Sequence, residues 1–228
     1  MSTANEIGAR LRRQRQSRGL SLRAVAQELK VSASLISQVE TGKTQPSVAT
    51  LYSLATLLSI SVDELLGLEP AGTAPSRLPM GSVVQRASEN PVIEMENGVR
   101  WEKLAMGPGG PADVLLVTYQ PGAASSIEGR LMRHVGLEYA YLLEGSLTLQ
   151  VEFDTYELNA GDSWHFDSSR PHMASNHGAT PAIGIWFVVG RHGDSLPNPQ
   201  EPPVSSRQSA RSTVDVLRRL DALDVLEE

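Results

Sequence analysis

The chain has 228 residues, 40% of them hydrophobic, a formal net charge of −6 and no cysteine. This length allows one large domain or two small ones, and the apolar content is that of an ordinary globular protein. The missing cysteines exclude a disulfide framework and a thiolate metal site, and no apolar run approaches the roughly 20 residues of a membrane span. The first residues also lack the apolar core of a signal peptide, so we expect a cytoplasmic protein without a membrane partner.

The negative charge is distributed unevenly along the chain. Residues 1–66 hold eight Lys or Arg and five Asp or Glu, so this segment carries +3 and the remainder −9. A basic N-terminal part on an acidic body indicates that only one end of the molecule meets a polyanion. A solvated basic helix face would give the same charge, so the charge alone does not decide the function.

Five short helices are predicted in the first third of the chain, the first of them over residues 5–18. Ser21 is a good N-cap for the second helix, whose apolar residues recur at i, i+3, i+4 and i+7. Ser32 caps a short third helix, which ends at Gly42 because glycine accepts the left-handed conformation. Ser47 opens a fourth helix, and a final turn closes the compact bundle.

The second and third helices, joined by a tight turn, form a helix-turn-helix, in which the second helix lies in the major groove of DNA. The segment resembles the lambda-repressor-like, or XRE-type, family of transcription regulators over about 60 residues. The similarity includes Ile36-Ser37, Glu40-x-Gly42 and Pro46 at the spacing usual for the family. The resemblance implies a DNA-binding domain, which we assign to residues 1–68.

The resemblance also implies which side chains meet DNA. Four residues of the recognition helix are expected to face bases: Ala33, Ser34, Ser37 and Gln38. Five residues lie where phosphate contacts are expected, and would position the domain rather than specify sequence: Ser21, Arg23, Ser32, Thr41 and Lys43. A single unit of this size binds weakly, so we expect a homodimer on double-stranded operator DNA with half-sites about 34 Å apart.

Beyond this domain the hydrophobic period changes from helical to alternating. Residues 69–82 are rich in Pro, Gly, Ala and Ser and are predicted to form a linker. The clearest strand covers Ser146 to Phe153, with Leu147, Val151 and Phe153 among the residues on one face. Further strands are predicted at Val114–Tyr119, Tyr139–Leu143 and Ile183–Val189. Short strands separated by turn signals predict an antiparallel sandwich or barrel.

Two runs in this region, RLMRHVGLEYAYLLEGSLTL and GDSWHFDSSRPHMASN, resemble the paired motifs of the cupin superfamily. The first offers His134, then Glu138 and Gly145 at the family spacing, and the second offers Gly161 and His172. The resemblance implies a double-stranded barrel with a pocket at its mouth, which we assign to residues 83–192. The expected fold class is therefore α+β and multidomain, a five-helix helix-turn-helix bundle followed by an all-β cupin barrel.

In cupins that bind metal, a His-x-His pair, a Glu and a distant His converge, and Met132 departs from this pattern at the first position. The remaining His134, Glu138 and His172 are the set that non-heme Fe(II) uses, and they could also hold Zn or Mn. The alternative is a pocket without metal, in which the histidines hydrogen-bond an organic molecule. Alternation along the strands gives the candidate effector-pocket residues Ala140, Leu142, Ala174 and Asn176. Met132, whose thioether suits these ions poorly, is expected to fill space in the same pocket. Other candidates for the rim or wall are Trp101, Tyr119, Arg133, Trp164 and Trp186.

Residues 193–228 begin as a Pro/Ser-rich linker and end in a predicted amphipathic helix with Val216, Leu220 and Leu223 on one face. This helix either docks on its own barrel or contributes to a dimer.

Two functions fit these features. The first is a transcription regulator without catalytic residues, whose cupin domain senses a small-molecule effector. The second is suggested by a resemblance to non-heme iron cupin oxygenases and epoxidases that carry a helix-turn-helix-like N-terminal domain. The regulator is favoured because the recognition helix fits DNA, whereas basic residues able to hold a charged substrate are few.

Overall fold

A computed structural model of the chain describes residues 3–66, 84–104, 112–126 and 129–190. The predicted linker over 69–82 and the C-terminal segment over 193–228, with its helix, lie outside the described residues. Within the described ranges, no helix is long and apolar enough to cross a membrane.

The N-terminal domain consists of five α-helices, which confirms the predicted bundle. They are α1 (Thr3–Ser17), α2 (Leu22–Leu29), α3 (Ala33–Glu40), α4 (Val48–Leu57) and α5 (Val62–Leu66). The Ser21, Ser32 and Ser47 hydroxyls each accept a hydrogen bond from the backbone N–H three residues on, at 3.0 to 3.2 Å. Each serine thereby satisfies one of the N–H groups that a helix leaves unpaired at its start.

Helix α1 packs closely against the end of the recognition helix α3. A Cβ added to Gly8 would overlap the Val39 carbonyl oxygen and lie 2.9 Å from that of Glu40, so only glycine permits this approach. The Arg15 guanidinium on α1 donates two hydrogen bonds to the Glu40 carboxylate and a third, of 2.7 Å, to the Leu20 carbonyl. Both partners of this ion pair are 8% exposed. The pair fixes the C-terminal end of α3 relative to α1.

The C-terminal domain is built from nine antiparallel strands within the described ranges, preceded by a 3₁₀ turn at Ala87–Glu89. They are β1 (Val92–Glu94), β2 (Val99–Leu104), β3 (Ala112–Tyr119), β4 (Leu137–Glu144), β5 (Ser146–Val151), β6 (Asp154–Asn159), β7 (Ser163–Asp167), β8 (His172–Ser175) and β9 (Ala182–Val189). One sheet has the order β1-β2-β3-β9-β4-β7 and the other the order β6-β5-β8. Burial alternates along β3, β4, β5 and β9, so their inner side chains fill the space between the two sheets.

The predicted strand from Ser146 to Phe153 is two residues too long. Strand β5 ends at Val151, which pairs with Asp154 at the start of β6. Glu152 adopts a positive φ of 56° and Phe153 is fully exposed, because these two residues form the hairpin turn. Phe153 therefore does not share the buried face of Leu147 and Val151.

Candidate functional site

The recognition helix presents a polar face to solvent. Ser34 and Gln38 are exposed and Ser37 is half-buried, while Ile36 and Val39 are buried in the helical core. Gln38 lies 3.5 Å from the Ser34 hydroxyl, one turn away on the same face. Ala33 is partly buried and packs against the core. The exposed positions are compatible with the predicted base contacts, which stay predictions.

The five predicted phosphate contacts lie around the same helix-turn-helix. Ser21 and Ser32 cap α2 and α3, and the Thr41 hydroxyl donates to the Ser37 carbonyl at the end of α3. The side chains of Arg23 and Lys43 are exposed. Their roles toward DNA also stay predictions.

The barrel brings His134, Glu138 and His172 together, and we call these three residues the trio. His134 precedes β4, Glu138 lies on β4 and His172 begins β8. One ligand atom from each lies within 4.8 Å of the other two. Nε2 of His134 is 3.4 Å and Nε2 of His172 is 3.9 Å from Oε2 of Glu138. All three side chains are buried.

Hydrogen bonds orient the trio so that one atom of each residue faces the others. The Nδ1 atom of His172 lies 2.8 Å from the Arg170 carbonyl, so it carries the proton and leaves the lone pair on Nε2. The Trp186 indole N–H donates to Oε1 of Glu138 at 3.0 Å, which leaves Oε2 toward the histidines. Within the described part of the chain, neither histidine Nε2 atom has a hydrogen-bond partner. The lone pair on Nε2 of His172 and the buried Nε2 of His134 both face the Glu138 carboxylate, an arrangement that suits a metal ion.

The electrostatic environment favours the ligating forms of His172 and Glu138. Burial lowers the pKa of His172 below its usual value, although the charge of Glu138 partly opposes this, so the ring is neutral at neutral pH. Burial by itself would raise the pKa of Glu138, but the two histidines and the Trp186 N–H outweigh it and lower that pKa. A carboxylate and neutral imidazoles are the forms that bind metal. The trio could therefore hold a metal ion.

Glu138 and His172 of the trio border a cavity with a largely aromatic and apolar wall. Its lining consists of Val48, Tyr52, Trp101, Leu115, Val117, Tyr119, Met132, Glu138, Leu149, Trp164, His172, Ala174, Trp186 and Val188. All three tryptophans of the protein are among these residues. Burial, with a further contribution from Glu138, raises the pKa of Tyr119 far above its usual value, so its phenol stays protonated. No Lys or Arg occurs among the described residues of the wall.

Of the five predicted effector-pocket residues, Met132 and Ala174 line this cavity. Ala140, Leu142 and Asn176 are buried but are not part of its wall. The Asn176 side-chain amide donates to the carbonyls of Tyr119 and Thr180, and its oxygen accepts from the N–H of Gly178. Asn176 thus holds the turn between β8 and β9 together. Of the suggested rim residues, the three tryptophans and Tyr119 line the cavity, whereas Arg133 does not.

Sequence reasoning missed the contribution of α4, which supplies Val48 and Tyr52 to the cavity. The signal was present in the composition of the helix. Apolar residues surround the helix in its sequence, with the adjacent pairs Leu51-Tyr52 and Leu54-Ala55, and the structure buries both pairs. A helix with buried residues on more than one stripe packs against more than one partner.

The family comparisons agree with this architecture. Residues 6–67 match a family described as a helix-turn-helix domain, and residues 115–188 match the cupin domain family. The chain is similar to a solved HTH_3 family transcriptional regulator from Vibrio cholerae, with 23% identity, a TM-score of 0.58, and coverage of 82% of this chain and 96% of that one. It also has a weaker likeness to hydroxypropylphosphonic acid epoxidase from S. wedmorenis, with 19% identity and a TM-score of 0.43 over 81% of this chain and 97% of that one. This weaker likeness supports no conclusion about activity.

A curated relative extends the similarity across both domains. The chain is 30% identical over 187 residues to the HTH-type transcriptional regulator PuuR of Escherichia coli (strain K12), covering 81% of this chain and 93% of the relative. The 187 aligned residues exceed the length of either domain, so the similarity extends into both. The chain therefore belongs to the HTH-type transcriptional regulators that join an XRE-type DNA-binding domain to a cupin domain.

Proposed function

We propose that this DNA-binding regulator is a sensor, in which the cavity of the cupin barrel binds a small-molecule effector and thereby changes affinity for operator DNA. The observation that carries the proposal is the enclosed polar trio in the same chain as an intact helix-turn-helix. An effector shifts the equilibrium only if it binds the two states of the regulator with different affinity. The proposal includes a homodimer, because one helix-turn-helix of this size buries little surface on DNA.

We further propose that the trio holds a divalent metal ion, iron, zinc or manganese, which would provide the attachment point for an acidic effector. Atoms that share one ion at about 2.1 Å lie roughly 3 to 3.5 Å apart. The separations of 3.4 and 3.9 Å from Glu138 to the two histidines need little adjustment to reach this geometry. Met132, at the position where a fourth ligand would be expected, has a thioether that is too soft for these ions.

Elemental analysis tests the metal proposal directly. Protein purified without chelator or a nickel column is compared with a His134→Ala variant. Near-stoichiometric iron, zinc or manganese that is lost in the variant supports the trio as the metal site. Protein that stays metal-free after addition of Fe(II) contradicts it and leaves an organic effector pocket.

DNA binding is tested separately with DNA from upstream of the protein's own coding region. A retarded band that disappears with excess specific DNA, but not with unrelated DNA, is expected. Gln38→Ala should bind the two kinds of DNA more equally, because Gln38 is proposed to read a base.

A second candidate function, that of a non-heme iron oxygenase, is favoured by the two-histidine, one-carboxylate composition of the trio. It is disfavoured by the cavity wall, which offers no basic side chain among its described residues to hold a charged substrate. Oxygen uptake in the presence of Fe(II) and a candidate substrate, lost in Glu138→Gln, would support the enzyme. No uptake across a broad substrate panel would leave the sensor as the function.

A further inference from the structure

The cavity wall includes a helix of the DNA-binding domain. Tyr52 on α4 stacks on His134 of the trio, with ring centroids 4.3 Å apart and ring planes inclined by 20°. The same ring packs against Trp101 of β2, with centroids 5.2 Å apart. Val48, one turn earlier on α4, also lines the cavity. The DNA-binding domain therefore contacts a residue of the trio directly.

The opposite side of α4 belongs to the core of the DNA-binding domain. Leu51, Leu54 and Ala55 are 1 to 4% exposed and belong to the same continuous apolar cluster as residues of α1, α2 and α3. Close-packed side chains transmit displacement because the interior has little free space. A shift of α4 therefore acts on the bundle that carries the recognition helix.

Backbone hydrogen bonds attach the start of α4 to the barrel. The Ala49 N–H, in the first turn of α4, donates to the Ser125 carbonyl at 3.0 Å. The Pro46 carbonyl accepts from the Glu96 N–H at 3.4 Å. These bonds satisfy a donor that the helix N-terminus leaves unpaired, and they resist separation of the helix from the barrel.

A second connection runs through the segment that carries His134. Arg130 in this segment donates to the carbonyl of Lys30, which lies in the turn between α2 and α3, at 3.1 Å. Two residues on, Met132 exchanges two backbone hydrogen bonds with His172, both of 2.9 Å. The segment from Arg130 to His134 thus touches the turn of the helix-turn-helix at one end and two trio residues at the other.

The cavity is too small for an organic effector in its present form. The space in which the centre of a water molecule can lie is about 20 Å³, which is room for roughly one water molecule. Most of the wall belongs to hydrogen-bonded strands of the two sheets, which are costly to move. Helix α4 contributes its part of the wall through side-chain packing and two backbone bonds at one end. A larger occupant is therefore accommodated most easily by displacement of Tyr52 and α4.

We propose that the effector site is formed by both domains, and that an organic effector bound beside His134 displaces Tyr52 and α4 and so alters the DNA-binding domain. This inference rests on the proposed sensory function and adds the residue through which the signal passes. Because coupling between two binding sites is reciprocal, DNA must also change the affinity of the cavity for its ligand by the same factor.

Hydrogen exchange of the full-length protein tests the proposal, with Co²⁺ as the probe of the trio. Quenching of tryptophan fluorescence measures Co²⁺ binding, because all three tryptophans line the cavity. A bound ion fixes the His134 ring against Tyr52, so exchange of the α4 amides should slow by at least about fivefold at saturating Co²⁺. Tyr52→Ala, also compared at saturating Co²⁺, should lose this response, whereas Tyr52→Phe keeps the ring and should retain it. Tyr156→Ala, at a half-exposed tyrosine of β6, is the matched control.

A filled cavity tests the same inference without a ligand. Ala174→Leu adds three carbons to the cavity wall from the barrel side and should speed exchange of the α4 amides by at least about fivefold. The same substitution at Ala182, which is buried outside the wall, should leave α4 unchanged if the barrel folds.

The outcomes separate this inference from the metal proposal. Bound Co²⁺ with unchanged exchange of α4, or an undiminished response in Tyr52→Ala, overturns the inference and leaves the metal site intact. Failure of the wild-type protein to bind Co²⁺ overturns the metal proposal, and Ala174→Leu then decides the inference. Unchanged α4 exchange and DNA affinity in folded Ala174→Leu refute it, whereas a change in both supports it.

Discussion

Replacing Arg15 by methionine leaves the carboxylate of Glu40 at a position that is 8% exposed, without the guanidinium that faces it. In the wild-type protein, Nε and Nη2 of Arg15 lie 2.5 and 2.9 Å from the two carboxylate oxygens, and Nη1 donates to the Leu20 carbonyl. The hydrogen bond to Glu40 raises the pKa of Arg15 above its already high value, so the guanidinium is charged at every accessible pH. The methionine variant therefore leaves the Glu40 charge unpaired and also removes the hydrogen bond to the Leu20 carbonyl.

Removal of one partner from a buried ion pair costs about 3 to 5 kcal/mol. The helical domain, which ends at Leu66, is expected to have a free energy of unfolding of roughly 3 to 10 kcal/mol, at about 0.05 to 0.15 kcal/mol per residue. We therefore expect Arg15→Met to bring the helical domain close to its unfolding threshold. The double variant Arg15→Met/Glu40→Leu should recover most of the loss, because it buries apolar groups in place of both charges.

Urea denaturation of the full chain measures both effects with two probes. Far-ultraviolet circular dichroism follows the five helices, while tryptophan fluorescence follows the barrel, which contains Trp101, Trp164 and Trp186. The dichroism midpoint should fall sharply in Arg15→Met and return in the double variant. A loss below about 1 kcal/mol in the single variant would show that solvent reaches Glu40 and that the ion pair is a surface one. A double variant less stable than either single variant would contradict the reasoning as well.

Three further predictions concern the helix packing, the DNA interface and the barrel. Gly8→Ala should destabilise the helical domain despite the roughly 1 kcal/mol that alanine gains in a helix, because its Cβ meets the carbonyl oxygens of Val39 and Glu40. A raised midpoint in urea would disprove this close packing. Lys43→Ala should weaken binding to all DNA sequences and reduce by about one unit the slope of log binding constant against log salt concentration. Gln38→Ala should change only the sequence preference. An unchanged slope in the lysine variant would show that Lys43 does not contact phosphate. Asn176→Ala should cost about 2 to 4 kcal/mol of barrel stability, because three hydrogen bonds are lost, one of them buried and two partly buried. Its Co²⁺ affinity should stay the same, and a weakened affinity would show that Asn176 contributes to the pocket.

The elements predicted best from the sequence depend on local signals. Ser21, Ser32 and Ser47 cap helices through bonds to residues three positions away, so the sequence alone contains both partners. The resemblance to the cupin motifs predicts the trio, and the fold brings its members together because His172 pairs with Met132 and Val151. The end of β5 was placed two residues too late, since alternation of apolar residues continues into the turn at Glu152 and Phe153.

The features that sequence reasoning missed depend on contacts between distant segments. Strand alternation correctly turns Asn176 inward, but periodicity does not reveal that its amide is already bonded within the turn before β9. Tyr52 lies 82 positions before His134, and no pattern near either residue indicates that their rings stack. The adjacent apolar pairs Leu51-Tyr52 and Leu54-Ala55 on α4 indicate a second packing partner, but they do not identify it.

The position of α4 bears on the choice between sensor and enzyme. An oxygenase must admit substrate and release product in every turnover, so movement of its cavity wall is best confined to a loop with no other role. Under the proposal made above, the part of the wall that moves is α4, a helix whose other side belongs to the core of the DNA-binding domain. Each entry of a ligand would then act on the recognition helix. Such coupling contributes nothing to catalysis, but a regulator requires it. The arrangement of Tyr52 over the trio therefore favours sensing. It predicts that DNA and ligand change each other's affinity, because both act on the position of α4.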